Sequence, residues 1–195
     1  MSQSVSVSPL DRRSFLKAGI ALGGGLVLGV SLPTLADAAS SSAAQAPGFA
    51  PNAFIRIDRE GKVTLVMPMV EMGQGIYTAM AMLLAEELEV GLDRVRLEHA
   101  PPNDSLYANS LLHTQSTGLS ASIRAFWTPL RQAGAVARTL LIAAAAKRWS
   151  VDPGTCRAKQ GAVFDAGGTR QFSYGELADA AATLPVPARD SVSLK

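Results

Sequence analysis

One cysteine and two histidines in 195 residues leave little for redox or metal chemistry built from side chains. A single cysteine excludes an internal disulfide framework, a CxxC redox pair, and any zinc or iron–sulfur site held by four cysteines of this chain. Two histidines are too few for a conventional His-rich metal site, so a metal used here would be carried by something other than these side chains. Charge is also sparse: 17% of residues are charged and the formal net charge is +2. That balance offers no clustered basic surface for nucleic acid, and nucleic acid is not expected as a partner. Aromatic residues make up only 6%, yet the hydrophobic fraction is an ordinary 48%, which separates the chain from disordered polyelectrolytes. The length suits one domain or a little more.

Asp11-Arg12-Arg13-Ser14-Phe15-Leu16-Lys17 precede an uncharged run from Ala18 to Ala36, followed by Asp37-Ala38-Ala39. A basic start, a short apolar stretch and an A-x-A site make a secretory signal over residues 1–38, with cleavage after Ala38 or Ala39. The alternative is a membrane anchor. Five glycines and Pro33 within the run argue against a stable spanning helix. The arginine pair with Phe-Leu-Lys resembles a twin-arginine export signal, which implies a periplasmic destination for a passenger that folds, and often takes up a cofactor, before crossing. Residues 39–50, rich in Ser and Ala, read as a linker.

The remainder reads as a mixed α/β domain over 51–185. Phe54-Ile55-Arg56-Ile57 alternates and Val63 to Met67 resumes after a Gly61 turn, predicting a hairpin between Phe54 and Met69. Ile76, Met80, Leu83, Leu84 and Leu88 share one face of a helix from Gly75 to Glu89, with Gly91 suited to cap it and Glu86 and Glu87 assigned to solvent. Val95 to His99 predicts a strand. An alanine-rich helical region spans Ser120 to Trp149, where Pro129 should break, kink or restart the helix. A small hairpin from Cys156 to Phe172 and a helix from Ser173 to Ala182 follow. Residues 186–195 read as an extended exit segment.

Two loops carry chemical information. Glu71-Met72-Gly73-Gln74-Gly75 lies between a strand and a helix start, whose free N–H groups favour an anion such as phosphate. Gln74 adds an amide that both donates and accepts, suiting a heterocycle edge. Alone, this GQG turn is more plainly an ordinary left-handed turn. Thr114-Gln115-Ser116-Thr117-Gly118-Leu119-Ser120-Ala121-Ser122 also precedes a helix, and its five hydroxyls exceed what capping needs. Both loops can converge on one anionic ligand. Cys156 reads as a half-buried apolar residue, His99 and His113 as structural or solvated, and the Met67, Met69, Met72, Met80 and Met82 group as packing rather than copper ligands.

Val70-Glu71-Met72-Gly73-Gln74-Gly75 with Thr78 resembles the molybdopterin-binding segment of the xanthine dehydrogenase/aldehyde oxidase superfamily. Thr117-Gly118-Leu119-Ser120-Ala121-Ser122 resembles its second pterin loop. Glu86-Glu87-Leu88, Glu98-His99-Ala100-Pro101 and the run from Ser122 through Arg124, Trp127, Pro129-Leu130-Arg131 to Arg138 are similar to one branch. That branch comprises the large subunits of the isoquinoline 1-oxidoreductase and membrane-associated aldehyde dehydrogenase type. The resemblance implies the molybdopterin-binding lobe of that large-subunit fold. It also implies pterin contacts from Met72, Gly73 and Gln74, and hydrogen bonds to pterin or phosphate from Thr117, Gly118, Ser120 and Ser122. The implied cofactor is molybdopterin with molybdenum, the cytosine dinucleotide being one form. The implied partners are a [2Fe–2S] small subunit, a cytochrome c acceptor and the remainder of the large subunit. Family members often have a second glycine where this chain has Leu119, whose Cβ makes a positive φ costly. The superfamily's catalytic glutamate has no match, so no catalytic or metal-ligating residue is assigned. The expected role is therefore a part of an exported hydroxylase oxidising aldehydes or N-heteroaromatics with water. The alternatives are a non-catalytic truncated remnant or a periplasmic module binding another phosphorylated ligand.

Overall fold

The computed structural model describes residues 48–188 and 191–195. The export signal and the linker up to residue 47 lie outside the described residues. Strands β1 (Gly48–Asn52), β2 (Ile55–Asp58), β3 (Val63–Met67) and β4 (Val95–His99) form one sheet in the order β1-β2-β3-β4. The first three run antiparallel, and β3 and β4 pair in parallel from Val63 opposite Val95 to Met67 opposite His99. A parallel pair needs a crossover, and helix α1 (Ile76–Leu88) supplies it. β1 starts inside the stretch read as linker. It is an edge strand whose register shifts between Phe49 and Asn52, so Pro51, which lacks an N–H, falls where the ladder is interrupted.

A short helix α2 (Asp104–Tyr107) sits in the polar loop after β4. Helix α3 (Ser122–Trp149) follows, and Pro129 does not break it. The expected interruption fails because proline removes only one backbone bond, and packing along the whole helix holds the rest. α3 is the central element, lying against α1, the first sheet and helix α4 (Tyr174–Ala182). This explains its alanine content: Ala133, Ala135, Ala137, Ala144, Ala145 and Ala146 are all buried, and small side chains let several neighbours approach one helix. A second, three-stranded antiparallel sheet, β5 (Arg157–Lys159), β6 (Ala162–Phe164) and β7 (Gln171–Ser173), covers the end of α3. There Trp149 stacks on Phe172 with centroids 4.9 Å apart. Its turn is tied to the end of α1 by the Gly161 amide donating to the Glu89 carbonyl at 2.8 Å. α4 opens with a capping box between Ser173 and Glu176.

The core is continuous. Ile55, Ile57, Leu65, Met67, Met80, Leu84, Leu88, Leu130 and Leu141 are essentially inaccessible, each worth about 1.5–3 kcal/mol of burial. Met67, Met69 and Met80 pack there, whereas Met72 and Met82 are exposed. α1 ends with Glu89 at φ 61, bonded back to Ala85 and Glu86. The expected cap, Gly91, has φ −70 and precedes a single 3₁₀ turn.

The assignment of Glu87 to solvent is overturned. It is 1% exposed and faces α3, where Arg131 Nη2 lies at 2.7 Å and Arg138 Nη1 at 3.2 Å. Opposite it is Gly134, where an added Cβ would stand 2.7 Å from Glu87 Cβ and 2.8 Å from the Leu84 carbonyl oxygen. The helices touch because Gly134 lets them, and the carboxylate is buried because two guanidiniums meet it. The segment Ser191–Lys195 turns back onto the same cluster, the Lys195 amide donating to Glu87 Oε2 at 3.1 Å and Arg138 Nη2 to the Ser193 carbonyl at 2.7 Å. Breaking one partner of a buried ion pair leaves uncompensated charge. Glu87→Gln should therefore cost about 3 kcal/mol or more in urea unfolding, and Gly134→Ala about 1–3 kcal/mol through overpacking.

Candidate functional site

β3 ends at Met67, and the chain crosses Pro68 to Glu71 before α1 begins. Gly73 (φ 93) and Gly75 (φ 81) take the left-handed turns that the loop requires, at little cost without a Cβ. Glu71 closes the loop on itself. Its Oε1 accepts from the Gly73 amide at 2.7 Å and the Gly75 amide at 3.0 Å, and its Oε2 from the Tyr77 amide at 3.0 Å. These backbone donors hold its carboxyl below the usual 4.5, the Tyr77 amide contributing most. The expectation of free amides at the start of α1 is thus corrected in part: an internal carboxylate occupies those of Gly75 and Tyr77, while those of Ile76 and Thr78 have no acceptor among the described residues. The Gln74 side chain also folds back, donating to the Val70 carbonyl at 3.0 Å and accepting from the Met72 amide.

The second loop is braced by polar side chains that composition did not single out. Asp104 accepts from the Gln115 amide at 2.6 Å and from the Thr114 hydroxyl. Gln115 accepts from the Asn103 amide at 2.8 Å and donates to the Pro68 carbonyl at 3.3 Å. The signal for this bracing was the Asn103-Asp104 pair, a helix-capping sequence that fixes a turn. Asn109 is buried in this loop with its Nδ2 unpartnered. Leu119 has φ 53 and Ser120 φ 50, so the position where a glycine was expected does adopt a positive φ. The Leu119 side chain is 82% exposed, leaving its cost to the backbone alone.

The two loops meet. The Val70 amide donates to Thr117 Oγ1 at 2.8 Å, which leaves the Thr117 hydroxyl proton free to be donated elsewhere. Between the loops lies a cavity of about 350 Å³, lined by Met72, Gln74, Thr117, Gly118, Ser120 and Ser122 together with Gly75, Ile76, Ala79, Leu119 and Ile123. Of the seven candidate residues, Gly73 alone does not line it. Neither helix is capped by its own N-cap residue, but α1 has the Glu71 carboxylate on its first amides and, among the described residues, α3 has no counterpart to it. Ser122, 7% exposed, lines the cavity, and its hydroxyl has no partner among the described residues. An added Cβ at Gly118 would meet nothing within 4 Å, so this wall is open to a ligand. Amides at an uncapped helix start, two unpaired serine hydroxyls and a threonine proton together form a donor set suited to phosphate or a polar ring edge. A molybdopterin-type group, anionic at one end, fits this donor set, and the volume lies in the range of small-ligand pockets.

Beyond Ala79, which lines both, an apolar groove of about 790 Å³ runs along Met82, Leu83, Val90, Leu92 and Trp127, edged by Glu86 and Arg131. His99 does not reach the cavity lining; its Nδ1 meets Tyr77 Oη at 2.9 Å. Cys156 is half-buried, with Sγ 3.9 Å from the Asp152 carbonyl. Among the described residues no three His, Cys, Asp or Glu side chains converge as metal ligands, and no helix is long and apolar enough to cross a membrane.

These features define a cofactor-binding lobe, and comparison with known proteins states which. Residues 12–195 match the molybdopterin cofactor-binding domain family, and the chain belongs to it. It is a partial segment of the xanthine dehydrogenase/aldehyde oxidase superfamily. It is 37% identical over 182 residues to isoquinoline 1-oxidoreductase subunit beta of Brevundimonas diminuta, covering 91% of this chain and 22% of that protein. It is 31% identical over 171 residues to a membrane-bound aldehyde dehydrogenase [pyrroloquinoline-quinone] of Gluconacetobacter polyoxogenes, covering 86% of this chain and 21% of that protein. The chain thus spans about a fifth of the length of these relatives. In fold it is similar to reconstituted CO dehydrogenase from Oligotropha carboxidovorans, with a TM-score of 0.51 and 23% identity over 65% of this chain and 15% of that one.

The carboxyls of Glu71, Asp165 and Glu176 all lie below their ordinary values, Glu71 through backbone amides, Asp165 first through Arg170 and Glu176 first through Ser173. A carboxyl depressed in the folded state stabilises it above the unfolded pKa, and that stability is lost as pH falls through the folded value. Thermal melts should therefore hold steady from neutrality down to about pH 5 and lose stability progressively below it. Glu71→Gln should flatten part of that acid slope.

Proposed function

We propose that this chain contributes part of the cofactor-binding surface of an exported molybdenum hydroxylase that oxidises aldehydes or N-heteroaromatic compounds. The observation that carries this reading is the junction of both loops on one cavity whose α3 side offers unpaired donors. Thr117, Gly118, Ser120 and Ser122 would hold the anionic and polar parts of molybdopterin, and Met72 and Gln74 would line its other side. When bound, the cofactor supplies a molybdenum centre for hydroxylation with oxygen from water. This chain's share is to position the group, exclude solvent on one side and present hydrogen-bond donors; no residue here is assigned to proton abstraction. The names of the relatives, an isoquinoline oxidoreductase subunit and an aldehyde dehydrogenase, support the substrate classes.

The fraction of those relatives that is spanned supports a further polypeptide body, equivalent to the rest of a large subunit, closing the cavity from outside. A separate [2Fe–2S] subunit would take the electrons, since one cysteine cannot hold such clusters, and a cytochrome c would accept them in turn. The cytosine dinucleotide is the extended form that the phosphate-binding side would suit. The Arg12-Arg13 signal supports periplasmic delivery by the twin-arginine route.

Purification with the co-expressed companion subunits, followed by molybdenum quantification by mass spectrometry, tests the proposal. Stoichiometric molybdenum is expected in the wild-type complex. Thr117→Val, which removes the tie to Val70 and one donor, should lower retention about tenfold, as loss of one good polar contact does. An intact, active complex without molybdenum would overturn the reading, and a phosphorylated ligand recovered in place of molybdenum would favour the binding-module alternative.

A further inference from the structure

The two lips of the cavity are built from the same parts, a loop and a helix start, yet they are electrically opposite. On the α1 side a carboxylate already takes the Gly73, Gly75 and Tyr77 amides, and Gln74 takes the Met72 amide, leaving Ile76 and Thr78 as the first-turn amides without an acceptor among the described residues. A full negative charge rests on a helix terminus whose own dipole is worth only about half a positive charge. On the α3 side, among the described residues, no carboxylate or other side chain accepts from the first-turn amides, and the hydroxyl of Ser122, a residue 7% exposed that lines the cavity, has no partner.

We propose that Glu71 is a positioning residue that acts as a built-in anion: it fills the phosphate-binding capacity of α1 so that an anionic ligand group can settle only at α3. The inference rests on the cofactor reading above and adds a direction to it. Without Glu71 the cavity would offer two equivalent helix starts about one loop apart, and an elongated ligand with one anionic end could enter either way round. With Glu71 in place, its charge repels an anion from the α1 lip, and Gln74, which lines the cavity, presents the spare lone pair of its Oε1 as an acceptor. A ligand therefore lies with its anionic group toward Ser122 and its hydrogen-bond-donating edge toward Gln74. The acidic residue in a phosphate-type turn, at first sight misplaced, selects the orientation.

The test follows backbone amide resonances of the ¹⁵N-labelled full chain during titration with inorganic pyrophosphate, in wild type, Glu71→Gln and Glu71→Asp. In wild type the Ser122, Ile123 and Arg124 amides should shift while Gly75, Ile76 and Tyr77 stay silent. In Glu71→Gln the Gly75, Ile76 and Tyr77 amides should become responsive, with an affinity at that end raised about fivefold or more. Glu71→Asp, which keeps the charge, should restore the silence; a purely structural role would leave it as disturbed as the Gln variant. Response of Gly75 to Tyr77 in wild type overturns the proposal, and this holds even if Glu71→Gln does not fold. Continued silence there in a folded Glu71→Gln chain overturns it as well. Loss of the Ser122 to Arg124 response, with the α1 response still gained in Glu71→Gln, would instead count against the α3 subsite of the cofactor reading and leave the exclusion by Glu71 standing.

Discussion

The contact between α1 and α3 at Glu87 and Gly134 governs everything else. Both cavity lips are the first turns of these two helices, so the distance between the loops is set by how closely and in what register the helices pack. Gly134 permits the approach, and Glu87 with Arg131 and Arg138 fixes the register, because a buried carboxylate can slide only by abandoning its guanidiniums. Hydrophobic packing alone would tolerate several offsets between two alanine-rich faces. One charged cluster, costly to bury and costlier to break, selects a single offset and with it the shape of the cavity. The return segment Ser191–Lys195 is fastened to the same cluster.

Much of the secondary structure was legible, because periodicity is local. The alternation at Phe54–Ile57 and Val95–His99 and the spacing of Ile76, Met80, Leu84 and Leu88 carry the information wherever the rest of the chain lies. What was not legible depends on distant residues. Glu87 looks like a solvated helix residue until two arginines more than forty positions away are placed beside it. Pro129 looks like a break until tertiary packing holds α3 on either side. The edge strand at Gly48–Asn52 carries no alternation and exists because β2 is there to pair with it.

The candidate site divides in the same way. Hydroxyl density pointed to Thr117, Ser120 and Ser122, and the family pattern to Met72 and Gln74; the fold brings them to one cavity. Both helix starts read as places for an anionic ligand, and the fold gives them different surroundings. A motif lists which groups are present, whereas the hydrogen bonds decide which remain available. Glu71 and Gln74 spend theirs within the loop, whereas among the described residues no side chain takes the first amides of α3.

The bond from Val70 to Thr117 joins residues 47 positions apart. Between them lie α1, β4 and the braced polar loop, so the junction of the lips is a long-range contact. A contact of such long sequence separation carries a loop-closure cost in entropy, and the cavity, built from both lips, is complete only in the assembled lobe. A ligand of this site therefore meets a finished surface rather than a template on which the chain folds. On the cofactor reading proposed above, loading would follow folding and be governed separately from it.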